Sequence, residues 1–365
     1  MNYFFIHTPL QLIVAQGIIK LYDLKDNIVF FGHTGTNAER QYLVIQDILI
    51  ESLWQQVHQV GDLHNYIPNL SNPKSFFKVK RTLSELNRKI EKNSTTHLFF
   101  GDLNAIAYIV MIKYFKVPKI SIFEEGLSHY NLSILQPKAN ANALKGSAYN
   151  FLGKYITSIN SISHYIFNKE ETSFDFEIYK RYNILNRTKN ESFDERLDLK
   201  SVLKEGVNPK FIEPLNVFKK LGAPVIFISS TIRNIFDDGA ETDVIIAEKI
   251  SKLFPSNPIF IKFHPKDNIV LTRKIISSIN ERDINASELN IASEVPMEIL
   301  FEVIEPKALF GYGSSSQLYF SQFSKNTPNT HVFELLDEGY IKSQKSGQRL
   351  LSIGNNWQKL KRIYL

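Results

Sequence analysis

Short apolar runs that alternate with helical segments constrain the fold of this chain more than any other feature. The runs cover residues 2–6, 27–31, 97–100 and 119–123 in the first half, and 225–228, 259–263 and 308–310 in the second. Strands that alternate with helices are typical of a parallel, doubly wound sheet. The pattern is interrupted between about 136 and 206 and then starts again. We therefore predict an α/β protein with two Rossmann-like domains that face a cleft.

The length and one proline-bearing segment set the predicted domain boundaries. With 365 residues, the chain is longer than a single domain of about 100–200 residues. The segment Asn208–Leu215 contains two prolines and is predicted to be the linker. We predict an N-terminal domain over 1–207, a C-terminal domain over 208–345, and a C-terminal basic helix over 346–365.

The amino-acid composition excludes several classes of protein. There is no cysteine, which excludes disulfides and thiolate metal sites. The N-terminus lacks the basic region of a signal peptide and is broken by His7 and Pro9. No apolar run approaches the ~18 residues of a membrane span. We therefore expect a cytoplasmic protein.

The formal net charge is +6, and basic residues concentrate in Lys74–Lys92 and in the last residues, 357–365. Apolar residues recur at mostly helical spacing within Lys74–Lys92, so this segment is predicted to be an amphipathic helix. Such a helix either contacts an anionic membrane, here the inner face of the inner membrane, or presents an ordinary solvated face. No recognised nucleic-acid-binding module accompanies the charge, so we predict no nucleic-acid partner.

A histidine and a lysine mark the end of one predicted strand. The run 259–263 leads directly into His264-Pro265, and the proline holds the backbone of His264 extended. Ligands bind at the carboxyl edge of open α/β sheets. Lys262 lies two residues earlier and is predicted to point to the same side, so the pair suits a ligand that carries a phosphate. A purely structural strand terminus is the alternative.

The other polar strand ends are less specific. Glu124-Glu125-Gly126 pairs two carboxylates, which raises a pKa as a general base requires, or it forms an acidic turn. Gly311–Ser316 places glycines and hydroxyls before a helix, where they bind an anion or only cap the helix. Glu298 precedes that segment, and a carboxylate there could bind a ribose.

The order and spacing of three of these segments resemble the motifs of bacterial sialyltransferases, which are an acidic pair with glycine, His-Pro, and a Ser/Thr pair. They stand here as Glu124-Glu125-Gly126, His264-Pro265 and Ser314-Ser315-Ser316. The block Val295–Ser321 is similar to the donor-binding block of these enzymes. The opening Ile6–Ile19 looks like the start of glycosyltransferase family 52 and is similar to the capsule polysialyltransferases.

The resemblance implies an inverting transferase of the GT-B fold that uses CMP-sialic acid or a related CMP-nonulosonic acid. It implies that the domain over 1–207 is the acceptor side and that the domain over 208–345 binds the donor. It implies that Glu124 is the base, that Glu125 is its neighbour, and that His264 assists departure of the CMP phosphate. The implied donor-binding residues are Lys262, Pro265, Glu298, Gly313, Ser314, Ser315, Ser316 and Ser230. No metal and no cofactor are implied. Asp237-Asp238-Gly239 also fits the acidic motif and is a second candidate for the base.

The sequence leaves several alternatives open. The transferred sugar is sialic, legionaminic or pseudaminic acid, or Kdo, and the acceptor is a lipooligosaccharide, an O-antigen or a capsule glycan. The competing functions are a UDP-sugar transferase or epimerase on the same fold, and a non-catalytic glycan-binding or assembly protein.

Overall fold

The computed structural model describes residues 1–33, 38–69, 72, 74–101, 106–124, 177–185, 192–230, 239–312, 314–323, 331–336 and 361–364. The chain divides into two compact units. The first comprises residues 1–38, 49–183 and 189–197, and the second comprises 39–48, 184–188 and 198–365. The second unit therefore begins at 198 rather than at the predicted 208, and it also takes the early segment 39–48.

The first unit contains a parallel seven-stranded sheet in the order β3-β2-β1-β4-β5-β6-β7. Its strands are β1 (Asn2–Ile6), β2 (Asn27–His33), β3 (Gln56–Asp62), β4 (His97–Gly101), β5 (Lys119–Phe123), β6 (Lys180–Asn183) and β7 (Asp194–Arg196). Its helices are α1 (Pro9–Leu21), α3 (Lys74–Asn87) and α4 (Ile106–Phe115), with 3₁₀ turns at Glu51–Leu53 and Leu63–Tyr66. Helix α2 (Ala38–Ile48) falls in the second unit except for its first residue.

Buried aromatic side chains form the centre of this first sheet. Phe4 stacks on Phe99 with ring centroids 4.3 Å apart, and Phe5 stacks on Phe100 at 4.6 Å. All four rings are almost completely buried on β1 and its neighbour β4. Burial of each Phe side chain contributes roughly 1.5–3 kcal/mol to the free energy of folding. The four rings therefore hold β1 and β4 side by side.

The second unit contains a parallel six-stranded sheet in the order β10-β9-β8-β11-β12-β13. Its strands are β8 (Val225–Ile228), β9 (Ile259–Lys262), β10 (Ala286–Glu288), β11 (Ala308–Gly311), β12 (His331–Leu336) and β13 (Lys361–Tyr364). Its further helices are α5 (Leu199–Gly206), α6 (Pro209–Leu215), α7 (Gly239–Leu253), α8 (Ile269–Asn280), α9 (Met297–Leu300) and α10 (Ser315–Phe323), with a 3₁₀ helix at Asn216–Leu221.

Both sheets reverse their strand order at an equivalent place. The chain adds strands outward on one side of β1 and then continues with β4 on the other side, and it does the same with β8 and β11. This reversal creates a switch point, outside whose carboxyl ends ligands bind in open α/β sheets. The switch points lie between β1 and β4 in the first unit and between β8 and β11 in the second.

All seven strands predicted from apolar runs are confirmed, with ends shifted by at most a few residues. Two predictions are wrong. The predicted linker is helix α6, because Asn208 caps it by accepting from the Lys210 N–H, and Pro209 suits the first helical turn. The predicted basic helix over 346–365 is wrong at residues 361–364, which form strand β13 paired with β12; residues 346–360 lie outside the described residues.

The predicted amphipathic helix is α3. It buries Phe76, Val79, Leu83 and Leu86 against the first unit, while its basic side chains lie on the outside. Among the described residues, no helix has the length and apolar character that would take it across a bilayer.

Candidate active site

His264 lies in a tight turn directly after β9. Its backbone N–H donates to Asp267 Oδ2 at 3.0 Å, and its ring Nδ1 accepts from the Lys266 N–H at 3.1 Å. Because Nδ1 is an acceptor, a neutral ring carries its proton on Nε2. The turn therefore presets the tautomer of this half-buried imidazole, with Nε2 as the donor.

Lys262, Glu298 and Ser316 form a buried polar group beneath the same sheet edge. Lys262 is 6% exposed, and its ammonium donates to the Ser293 carbonyl at 2.9 Å. Burial lowers the pKa of Lys262 to about 8, although the carboxylates of Glu298 and Glu294 favour its charged form. The predicted contact of Lys262 with a phosphate stays a prediction, since so little of this side chain reaches the surface.

Glu298 is almost fully buried, and its Oε1 accepts from the Ser316 hydroxyl at 2.8 Å. Burial raises the pKa of this carboxyl, while its own backbone N–H, the Ser316 hydroxyl and the charge of Lys262 oppose the shift. The residues predicted to bind ribose and phosphate are thus in direct contact. Their contact couples α9 to the first turn of α10.

The serine segment is held by a glutamine in the first turn of α10. The Ser314 N–H donates to Gln317 Oε1 at 3.0 Å, and the Ser316 N–H donates to Ser314 Oγ at 3.3 Å. A side chain that reaches back three residues in this way is a capping-box contact. A Cβ added at Gly311, the last residue of β11, would lie only 2.9 Å from Gln317 Oε1, so a larger residue there would require the end of the Gln317 side chain to shift.

Asp243, on α7, joins the two strand ends at the switch point of the second unit. Its Oδ2 accepts from the Ser229 hydroxyl at 2.7 Å, and its Oδ1 accepts from the Tyr312 hydroxyl at 2.6 Å. Ser229 follows β8 and Tyr312 follows β11, and Asp243 is fully buried between them. Nothing in the local sequence distinguishes Asp243, so it was not predicted.

Glu124 follows β5 in the first unit and is fully buried. Its backbone N–H donates to the Tyr182 carbonyl at 3.0 Å, which extends the pairing of β5 with β6 by one residue. The carboxylate therefore starts from a fixed backbone at the carboxyl edge of the first sheet. This position meets the requirement for the predicted base that it lie at a strand end.

Gln11 joins β1 and β4 at the switch point of the first unit. Its Oε1 accepts from the His7 N–H at 2.7 Å, and its Nε2 donates to the Gly101 carbonyl at 2.6 Å. His7 Nδ1 lies 2.7 Å from the Tyr108 hydroxyl, and desolvation lowers the pKa of His7 to about 4. This imidazole is neutral at physiological pH. Neither Gln11 nor His7 was predicted to belong to the site.

Some predicted residues cannot be placed. Glu125, Gly313, Asp237 and Asp238 lie outside the described residues. Pro265 and Ser230 are half-buried at the ends of β9 and β8, and their roles stay predictions. A cavity of about 330 Å³, lined by Pro118, Tyr179, Phe193 and their neighbours, lies at the opposite, amino-terminal edge of the first sheet and contains none of the predicted site residues.

The sequence matches the family model of alpha-2,8-polysialyltransferase (POLYST) over residues 2–332. This range contains all three motif segments. The match confirms the predicted likeness to the polysialyltransferases, whereas the narrower likeness to glycosyltransferase family 52 stays a prediction. No curated protein sequence matches the chain.

Several solved structures resemble the chain at low sequence identity, and of those named here MnaA is the one that supports the fold. S. aureus MnaA in complex with UDP is 10% identical, with a TM-score of 0.50 that covers 92% of this chain and 79% of MnaA. The UDP-GlcNAc 2-epimerase of Methanocaldococcus jannaschii is 11% identical (TM-score 0.49, 100% and 89% covered), and Acinetobacter baumannii MurG is 10% identical (0.45, 100% and 85%). The fold is the Rossmann-like GT-B fold, as predicted.

Proposed function

The chain belongs to the alpha-2,8-polysialyltransferase family, and from this premise we propose that it transfers sialic acid, or a related nonulosonic acid, from a CMP ester to a hydroxyl of a bacterial surface glycan. The observation that carries the proposal is the family match over residues 2–332. Membership supports sialyltransferase activity on a glycan. The CMP donor and the acceptor are the parts that we add.

The proposed reaction is a single displacement with inversion. The acceptor oxygen forms a bond to the anomeric carbon, the bond from that carbon to the CMP phosphate oxygen breaks, and the acceptor proton passes to Glu124. His264, a neutral ring whose Nδ1 accepts from the Lys266 N–H, donates a hydrogen bond from Nε2 to the departing phosphate. General acid and base groups of this kind each contribute about 10²–10⁴-fold in rate. No metal is needed, because CMP is a good leaving group.

The remaining predicted residues serve the donor. Ser314, Ser315 and Ser316 bind the phosphate with their hydroxyls, and the Ser316 hydroxyl, which donates to Glu298 in the free protein, turns to the phosphate when the donor binds. Glu298 holds the Ser316 hydroxyl in the free protein and binds the ribose of the donor. Ser230 contacts the donor from the end of β8. The other donor-binding residues in this proposal are Lys262, Pro265 and Gly313, and Glu125 supports Glu124.

The experiment that tests this proposal measures nucleotide release with EDTA present, from CMP-Neu5Ac, CMP-Kdo, UDP-GlcNAc and UDP-Gal. We expect CMP release from CMP-Neu5Ac that increases with a glycan acceptor, and loss of release in Glu124→Gln. UDP is included because the structural relative MnaA was solved with UDP. Release from UDP-sugars alone would replace the proposal with a UDP-sugar transferase or epimerase, and CMP binding without release would indicate a non-catalytic glycan-assembly protein.

We also propose peripheral contact with the inner face of the cytoplasmic membrane through the outer side of α3. Phe77 is 63% exposed there, and the exposed cations around it are Lys74, Lys78, Lys80 and Arg81. An exposed aromatic ring among cations fits an anionic lipid surface. Phe77→Ala should weaken sedimentation with phosphatidylserine vesicles. Val270→Ala, which alters an equally prominent apolar side chain in the second unit (74% exposed), should not weaken it.

A further inference from the structure

Asp243 is a buried carboxylate that none of the motif segments contains. The two hydroxyls that donate to it lie at 2.6 and 2.7 Å, which is the short range typical of O–H donors to an ionised acceptor. Each of its two oxygens thus has a donor from a different strand end. Such a group is costly to bury unless both donors are present, so Asp243, Ser229 and Tyr312 stabilise one another only as a set.

The location of these donors indicates what the set does. Ile228 and Gly311 are register partners on β8 and β11, and Ser229 and Tyr312 are the next residue on each strand. These two strands flank the switch point, where parallel sheets bind nucleotides and phosphates. The residues that follow, Ser230 on one side and Ser314 on the other, are those proposed to bind the donor.

We propose that Asp243 is a positioning residue for the donor nucleotide. By holding Ser229 and Tyr312, it fixes the spacing of the two loops that leave the switch point, and so it presents their hydroxyl and N–H groups to the donor phosphate without contacting it. This role rests on the proposed use of a CMP donor. It explains why a carboxylate is used, because an asparagine offers one acceptor oxygen where two hydroxyl donors need two.

Two variants and one matched control test this role. Tyr312→Phe removes one donor and keeps the ring that packs beside Phe227, and Asp243→Asn removes one acceptor at constant shape. Thr272→Val is the control, since Thr272 is a buried hydroxyl in the same unit that donates to the Ile269 carbonyl away from the switch point. The two readouts are the dissociation constant of CMP and amide hydrogen exchange in peptides that cover 225–230 and 308–317.

We expect Tyr312→Phe and Asp243→Asn to raise the CMP dissociation constant about tenfold, the size of one charge-assisted hydrogen bond, and to speed exchange in both peptides. Thr272→Val should lower the melting temperature without either effect. CMP affinity in Tyr312→Phe equal to that of the wild type would overturn this role and leave the proposed function intact. A wild-type protein that binds no CMP would overturn the proposed function and this role with it, even where exchange still changes.

Discussion

Each of the two units has one side chain that links the strand ends at its switch point, and the two side chains differ in charge. In the first unit, the neutral amide of Gln11 links the end of β1, at the His7 N–H, to the Gly101 carbonyl of β4. In the second unit, the carboxylate of Asp243 links the residues that follow β8 and β11. The strand order is the same, and a glutamine contacts the glycine at the strand end in both units.

The carboxyl edges of the two sheets also differ in the polar groups that are buried beneath them. Beneath the second edge lie a buried lysine, two buried carboxylates and the hydroxyls that they hold. At the first edge, the residues around the switch point are the neutral amide of Gln11 and the imidazole of His7, whose pKa is lowered to about 4. The carboxylate of this edge is Glu124, which follows β5, the strand next to β4 in the sheet. The proposed nucleotide site at the second edge therefore depends on its hydroxyl and N–H donors rather than on net charge, since among the described residues two carboxylates outnumber the one buried lysine there.

The largest expected effect is on the first edge. Glu124→Gln should lower turnover by about 10²–10⁴-fold, because a general base contributes that much, and it should leave CMP affinity unchanged. Single-turnover kinetics and calorimetric titration with CMP measure the two effects separately. If Glu124→Gln keeps a near-normal rate while Asp237→Asn or Asp238→Asn abolishes it, the base belongs to the second acidic motif and the assignment of chemistry to the two edges is wrong.

The glycine–glutamine contacts give a second comparison. Gly101→Ala would drive a methyl group into the side chain of Gln11, whereas Gly311→Ala meets Gln317 Oε1 at 2.9 Å. We expect a loss of about 1–3 kcal/mol in the free energy of unfolding for Gly101→Ala and a smaller loss for Gly311→Ala. Urea denaturation of Gly101→Ala in the Gln11→Ala background should show a much smaller added cost. Strict additivity of the two changes would mean that the close contact has no energetic consequence.

The two units should also respond to pH in different windows. Lys262 has an ordinary pKa of 10.5 that burial lowers to about 8, so between these values the unfolded chain binds more protons and stability rises with pH. His7 and His97 have an ordinary pKa of 6.5, lowered by burial to about 4, so stability contributed by the first unit rises from pH 4 to 6.5.

Lys262→Met should therefore flatten the alkaline rise, and His7→Asn should reduce the acidic one without abolishing it, because His97 titrates in the same window. Melting temperatures recorded from pH 4 to 10 with each variant check both changes. An alkaline rise that persists in Lys262→Met would show that another group causes it.

The smallest expected effect concerns the helix caps. Thr8 caps α1 by accepting from the Gln11 N–H, and Thr8→Ala should cost about 1 kcal/mol, while Thr8→Ser should restore most of it. Ser314→Ala should cost a similar amount of stability and, in addition, weaken CMP binding. Equal CMP affinity in Ser314→Ala and the wild type would show that Ser314 only caps its helix, as Thr8 does, and does not bind the donor.

The sequence predicted the strands that are continuous apolar runs, and it did not predict the others. Gln56–Asp62 (β3) alternates polar residues at a sheet edge, and β7 and β10 are three residues long, so neither length nor hydrophobicity marks them. The C-terminal basic segment has helical spacing, yet residues 361–364 pair with β12, because tertiary pairing overrides local preference.

The residues of the candidate site also fall into those that the sequence predicts and those that it does not. The strand-end positions of His264 and Glu124 were predictable because each directly follows an apolar run, and Ser314–Ser316 follow another such run after Gly311-Tyr312-Gly313; their roles stay predictions. Asp243 was not predictable, since its two hydroxyl partners lie 14 and 69 residues away, and only the fold brings them together. Gln11 contacts a glycine 90 residues away. Residues that orient others therefore leave little trace in the local sequence.

The membership of α2 in the second unit has a consequence for synthesis. Its Asp47 carbonyl accepts from the Asn208 side chain, which is 161 residues further along the chain. The ribosome therefore completes this helix, with the apolar Val44, Ile45 and Ile48 side chains that end up buried, long before its packing partners exist. We therefore expect this helix to reach its final packing only after residue 208 has left the ribosome.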